Sequence, residues 1–169
     1  MSNVRQHHVY IVVERLDHAS EPVAKQIHAM QLAAYSQEAK LIGALHFAPL
    51  MRTLEDLLAS AEQFFGAYQN GELVGAAGVE SGGPTRLGIS SFVVAPKVQR
   101  RGIGRALLAH IIRLHGHQEL QLQTAARNAP ALALYGSGGF SEVRRWSVGD
   151  EDLELVALRR SPSQPENVA

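Results

Sequence analysis

Three arginines surround a pair of glycines in Gln99-Arg100-Arg101-Gly102-Ile103-Gly104-Arg105, and together they suit an anion. Glycine lets a backbone come close to a ligand. The first amides of a helix beginning here have no partners inside it and point outward, and the helix dipole adds about half a positive charge. Arg100, Arg101 and Arg105 add full charges, so a pyrophosphate is the natural guest. Two known phosphate loops do not fit. A P-loop ends in Gly-Lys-Ser/Thr, whereas Arg105-Ala106 follows Gly104. The dinucleotide fingerprint wants a small third residue where Leu107 stands, and no acidic partner follows at the right distance. A tight turn with solvated arginines is the plainer reading of the same residues.

A second constellation runs from Arg127 to Tyr135. Asn128 is a good N-cap, and Pro130 falls early in the helix, where its missing N–H costs nothing. Tyr135 follows seven residues after Asn128. Seven steps of 100° fall about 20° short of two turns, so the two share a face roughly 10 Å apart along the axis. The plainer readings are a helix cap and a core tyrosine with a satisfied hydroxyl.

Elements must position these residues. His8–Arg15 is short and rich in β-branched residues, which predicts a strand. Glu21–Leu41 is predicted helical because Val23, Ile27, Met30 and Ala34 fall on one face, with Ser20 or Glu21 as cap and Pro22 in the first turn. Thr53–Ala61 is predicted as a short helix capped by Thr53, with Asp56 at its third position. The strands Phe64–Tyr68 and Leu73–Val79 flank Asn70-Gly71, a strong hairpin signal. Leu87–Val94 is a strand closed by Pro96, and residues 103–115 are a helix with Ile103, Leu107, Ile111 and Leu114 in a stripe. Leu120–Thr124 alternates strictly, as a strand with one apolar face does. A short helix runs from Asn128 to Gly138-Gly139, and Val143–Val148 with Leu153–Arg159 closes the chain as a hairpin across Gly149-Asp150. This order predicts an α/β fold of the α+β kind. Its mixed sheet has about seven strands, mostly antiparallel, with about four helices on its faces.

The length of 169 residues suits a single domain, 8–160, between a flexible N-terminus (1–7) and a flexible tail (161–169). With 46% hydrophobic and 19% charged residues the chain is not disordered. The absence of cysteine excludes disulfides, thiolate metal sites and cysteine nucleophiles, and fits a reducing, cytoplasmic setting. No apolar run spans a bilayer and no signal-peptide core is present, so no membrane partner is expected. Sixteen basic residues balance sixteen acidic ones, which argues against nucleic acid. His110, His115 and His117 are close in sequence but lack a His-Glu-x-x-His pattern, so no metal is expected and most histidines are predicted to lie on the surface.

Gln99 to Gly104 resembles the acetyl-CoA pyrophosphate motif Q/R-x-x-G-x-G/A of the GNAT superfamily of N-acetyltransferases. Phe92-Val93-Val94-Ala95-Pro96 resembles the strand that leads into that motif. Asn128 to Phe140 resembles the family's N-x-x-A-x-x-x-Y-x-x-x-G-F, with Tyr135 in register, and the likeness extends over about residues 8–159. The resemblance implies a GNAT-like fold with acetyl-CoA as cosubstrate. It implies that backbone groups of Phe92, Val93 and Val94 bind the pantetheine arm by strand addition. Arg100, Arg101, Gly102, Ile103, Gly104 and Arg105 would wrap the pyrophosphate, and Asn128 would contact the cofactor. Tyr135 would protonate the leaving thiolate, since a phenol of pKa ~10 is close enough to a thiol for a nearly balanced transfer. Homodimers are common in the family, so a second copy of the chain is an implied partner.

A base is missing. An amine must lose a proton to attack a thioester. The family places carboxylates where this chain has Gly88 and Gln123. Glu80, at the end of the third strand, is the remaining candidate, while Ser90 or Ser91 could hold a water and Gln123 could orient substrate. By the resemblance the acceptor binds between the first helices, the loop Gly43–Met51 and the final hairpin. That loop is apolar, unlike an acidic groove for a polyamine, and Tyr35, Glu38, His46 and Phe47 could line the pocket. Leu45, Phe47 and Leu50 serve equally well as a lid on the core or a dimer contact. The function these features imply is acetyl transfer from acetyl-CoA to a primary amine of a small molecule or peptide. Attack would be direct, because no cysteine exists to carry the acyl group. The alternative, suggested by Gly88 and Gln123, is a GNAT-fold module that binds acyl-CoA without catalysis, as a sensor or partner domain.

Overall fold

The computed structural model describes residues 10–149 and 153–164. The start of the predicted first strand at His8 and Asp150 of the final turn lie outside these. The strands are β1 (Ile11–Leu16), β2 (Gln63–Gln69), β3 (Glu72–Ser81), β4 (Arg86–Val94), β5 (Glu119–Ala125), β6 (Ser141–Val148) and β7 (Leu153–Arg160). The helices are α1 (Glu21–Ile42), α2 (Leu54–Leu58), α3 (Ile103–His115) and α4 (Ala129–Ser137). Short 3-10 turns at Ala48–Met51 and Pro96–Val98 complete the described elements. The predicted order holds, and the fold is mixed α/β.

Local chemistry explains the boundaries. Asn70 (φ 52) and Gly71 (φ 78) both take left-handed conformations, as the two-residue turn joining β2 to β3 requires. Thr53 caps α2 in a reciprocal capping box with Asp56. That helix stops at Leu58 rather than Ala61. Ser60 there bonds Glu62 through both its hydroxyl and the Glu62 amide, a local pairing that competes with further helix. Ser20 stands at the N-cap of α1 without a side-chain hydrogen bond, and Gly43 ends that helix at φ 72.

All seven strands form one sheet in the order β1-β2-β3-β4-β5-β7-β6. The β4–β5 pair is parallel and the other five are antiparallel. On one face α1 packs Ala24, Ile27, Met30 and Ala34 against Phe64, Ala76 and Val93. On the other, Leu107, Leu108 and Ile111 of α3 and Tyr135 of α4 pack against Phe65, Ala77, Leu120 and Val156. Leu107 and Ile111 are wholly buried, and each such side chain contributes about 1.5–3 kcal/mol.

The sheet is interrupted at one place. β4 pairs with β5 only through Arg86–Gly88 and Glu119–Gln121. The cause is a bulge at Ser90: Ile89 pairs with Val79 and Ser91 with Gly78, leaving Ser90 as the extra residue. Leu87 and Ile89 pack with the α3–α4 layer before the bulge, Phe92 does so after it, and Val93 turns to α1. The bend carries the second half of β4 away from β5.

The histidines differ from expectation. His18, His28, His110 and His115 are half-buried. His18 and His28 bond the carbonyls of Ser60 and Arg52, each at 2.9 Å, and His110 and His115 lie against the Phe65 ring. Their flat, partly apolar rings fill the layer edges, a use that spacing alone does not reveal.

Candidate active site

A cavity of about 370 Å³ opens where β4 and β5 part. Ile89 to Phe92 of β4 form one wall and Leu122 to Ala125 of β5 the other. Tyr35 and Glu38 enter from α1, and Asn128, Ala131 and Tyr135 from the start and body of α4. His46, Phe47 and Pro49 come from the loop after α1, with Val148, Leu153 and Leu155 from the last hairpin. Of the residues proposed from sequence, Tyr35, His46, Phe47, Phe92, Gln123, Asn128 and Tyr135 thus meet. Glu80 does not: it is exposed on β3 and lies outside the cavity, its Cγ over Gly88. Val93 points away, 3% exposed beneath α1, so only its backbone is offered to a ligand.

The glycine turn follows β4, and its Gly104 lies beside the cavity-lining Phe92. Arg100 (φ 67) and Gly102 (φ 83) both adopt left-handed conformations before α3 begins. The first helical bond runs from the Ala106 amide to the Gly102 carbonyl at 3.0 Å, so the amides of Ile103, Gly104 and Arg105 have no partner within the helix. Arg100, Arg101 and Arg105 are exposed around them. This donor set fits a diphosphate. The two glycines have different tasks. Gly102 permits the turn. A Cβ at Gly104 would lie 3.3 Å from Leu134 Cδ2 and 3.6 Å from Phe92 Cε1, so that glycine lets α3 close onto α4 and β4. The Ile103 side chain is 1% exposed and belongs to the core with Val74. Gln99 Nε2 donates to the Val94 carbonyl at 3.1 Å and ties the loop to its strand.

Asn128 links three elements. Its Oδ1 accepts from the Ala131 amide at 3.2 Å, capping α4, and its Nδ2 donates to Glu38 Oε1 at 3.0 Å. An amide nitrogen carries two hydrogens, so one remains for a ligand. Burial pushes the Glu38 carboxyl above the usual carboxylate range, and the Asn128 bond draws it partly back. Tyr135 is 6% exposed, edge-on to Phe92 (5.7 Å) and Phe140 (5.8 Å). Burial pushes its phenol well above the ordinary value, and the charge of Glu38 adds to this. The near balance with a thiol expected from sequence therefore does not hold for an open cavity. The phenol stays neutral, and its transfer to sulfur depends on the thiolate being desolvated in the same cavity.

A buried network behind β4 was not legible in the sequence. Ser90 Oγ donates to Glu62, which also accepts from Ser60 and pairs with Arg52. Burial alone would raise the Glu62 carboxyl, yet the bonds from Arg52, Ser60 and Ser90 together hold it below the usual range. Ser91 meets Gln31 Nε2 at 3.5 Å and bonds Tyr35. Both serines expected to hold a water are thus engaged by protein, and Ser90 is the anchor of the bulge.

The family model described as the Acetyltransferase (GNAT) family matches residues 21–140. The UPF0157 protein YqkA of Bacillus subtilis is 36% identical over 132 residues, which is 78% of this chain and 38% of that protein. The [Ribosomal protein bS18]-alanine N-acetyltransferase of Escherichia coli is 43% identical over 77 residues, 40% of this chain and 52% of that one. N-alpha-acetyltransferase RimI of Mycobacterium tuberculosis is 32% identical over 115 residues, 65% of this chain and 73% of the relative. The chain thus spans from about a third to about half of the first two relatives' lengths. Among solved structures, the ribosomal-protein-S18-alanine N-acetyltransferase of Escherichia coli superposes with a TM-score of 0.71 at 21% identity, covering 95% of this chain and 99% of that chain. The PaiA N-acetyltransferase of Thermoplasma acidophilum, solved with coenzyme A, superposes with a TM-score of 0.66 at 15% identity, covering 90% of this chain and 99% of the other. At such identities the structures speak for the fold alone.

Proposed function

The chain belongs to the acetyltransferase (GNAT) family, and from that premise we propose that it transfers an acetyl group from acetyl-CoA to a primary amine of a small molecule or peptide. One observation carries the reading. The bulge at Ser90 parts β4 from β5 and opens a cavity with Tyr135 and Phe92 on its wall, and Phe92 also packs beside Gly104 at the arginine-ringed start of α3. The diphosphate meets the amides of Ile103 to Arg105 and the guanidinium groups of Arg100, Arg101 and Arg105. The pantetheine arm runs along the unpaired side of Phe92, Val93 and Val94 and accepts the free Asn128 N–H. Acetyl-CoA supplies the activated acyl group. The acceptor's amine attacks the thioester carbon directly, backbone amides hold the carbonyl oxygen, and the Tyr135 phenol gives its proton to the departing sulfur.

Tyr35, His46, Phe47 and Gln123 form the acceptor's side of the cavity. The named activities of the relatives, on a ribosomal-protein alanine and on α-amines, support an amine acceptor. Calorimetry with acetyl-CoA and longer acyl-CoAs tests the donor. Thiol release with an amine panel tests the reaction. Release above background with any amine supports the reading. Binding of acetyl-CoA without release for any amine would favour the non-catalytic module instead.

A further inference from the structure

Glu38 takes no part in the reaction as described so far, yet it is the only carboxylate among the described cavity-lining residues. It comes from α1, opposite Tyr135 of α4, and Asn128 fixes its Oε1 from 90 residues away in sequence. Its Oε2 has no hydrogen-bond partner among the described residues. The positions where the resemblance leads one to look for a base are Gly88 and Gln123, and Glu80 lies outside the cavity. Resting on the acetyltransferase reading, we propose that the Glu38 carboxylate is the seat of the acceptor's amino group, binding the ammonium and accepting its proton, and that the acceptor is a primary monoamine with an apolar flank.

The cavity states the substrate's chemistry. One carboxylate faces walls of Phe47, Pro49, Leu122, Val148 and Leu155. A lone ammonium finds its counter-charge there, and its hydrocarbon neighbour finds an apolar surface. A second ammonium, as in a polyamine, would be stripped of water with no second carboxylate among the described lining residues to pair it. The proton transfer balances. One N–H proton passes to Glu38 and leaves through it to solvent. The freed lone pair forms the N–C bond, the C–S bond breaks, and sulfur takes the Tyr135 proton, which the second N–H proton restores.

Among the described residues, the titratable groups that share the cavity with Glu38 are Tyr35 on its own helix, Tyr135 from α4 and His46 from the following loop. Burial keeps both phenols neutral.

The test is Glu38→Gln, which keeps an oxygen for the Asn128 bond and removes the charge. The probes are 2-phenylethylamine and spermidine. The expected result is at least a hundredfold loss of kcat/KM for 2-phenylethylamine, an unchanged Kd for acetyl-CoA, and loss of the wild-type rise in kcat/KM on the acid side. Wild-type protein should prefer 2-phenylethylamine to spermidine. Calorimetry with coenzyme A present should show amine binding weakened at least tenfold by the substitution. Turnover and amine binding both within threefold of wild type would overturn the proposal, as would a preference for spermidine. A wild-type chain that binds 2-phenylethylamine through Glu38 but transfers nothing would remove the acetyltransferase reading while supporting the seat.

Discussion

Tyr135→Phe separates a chemical role from a structural one. The ring is 6% exposed and makes two edge contacts that phenylalanine would keep. The hydroxyl has no hydrogen-bond partner among the described residues and reaches the cavity. Removing it therefore costs little stability, under about 1 kcal/mol, or roughly 2–4 °C in a domain of this size. A hydroxyl bonded within the core would have cost about 1–3 kcal/mol. The effect on catalysis is far larger. Loss of a positioned acid slows a reaction ~10²–10⁴-fold, and a phenol held well above its ordinary value is a weak acid, which puts the loss near ~10²-fold, or about 2.7 kcal/mol. Thiol release at saturating acetyl-CoA measures kcat, calorimetry measures donor affinity and thermal unfolding measures stability. A kcat within threefold of wild type would refute the acid role. A loss of donor affinity equal to the loss of turnover would refute the separation itself.

Three further substitutions probe other parts of the molecule. Arg52→Ala leaves the Glu62 carboxylate, 8% exposed, with only Ser60 and Ser90, and should cost about 3 kcal/mol in urea unfolding at pH 7. Because the folded carboxyl lies below its unfolded value of 4.5, its contribution is present above that pH and fades as pH falls through the folded value; the variant should lose less on acidification. Gly66→Ala would place a Cβ 2.6 Å from Leu73 Cδ1 and 2.8 Å from Leu16 Cδ2, and should lower the urea midpoint by an amount equal to about 1–3 kcal/mol. Arg100→Ala combined with Arg101→Ala should weaken acetyl-CoA binding about tenfold in calorimetry at low salt, with the gap to wild type narrowing at 1 M salt.

The parts of this fold written in local chemistry were legible in the sequence. The Asn70-Gly71 turn, the Thr53 cap, the stripe on α3 and the Asn128 cap each depend on residues within one or two turns of chain. The glycine–arginine turn was legible for the same reason, although Gly104 proves to serve packing and Ile103 the core. What escaped was built from distant pairs. Glu38 could be placed at the pocket from sequence, but its bond to Asn128 could not, because α4 brings that partner from 90 residues away. Ser90 and Ser91 could be read as holding a water, but nothing in their types signals that Glu62 and Arg52 will hold a bulge there. Glu80 drew attention by its place near a strand end, but the outward side of β3 takes it away from the cavity.

Only three register pairs join β1 through β4 to the remaining strands. A guest that hydrogen-bonds along the far half of β4 would act as a splint across this seam, adding rungs that the protein does not make for itself. Loading would then stiffen the junction of the two half-sheets, so occupancy and mechanical continuity rise together. Hydrogen exchange at residues 89–94 and 122–125 should slow on loading more than at the turn Asn70-Gly71, far along the chain from the gap.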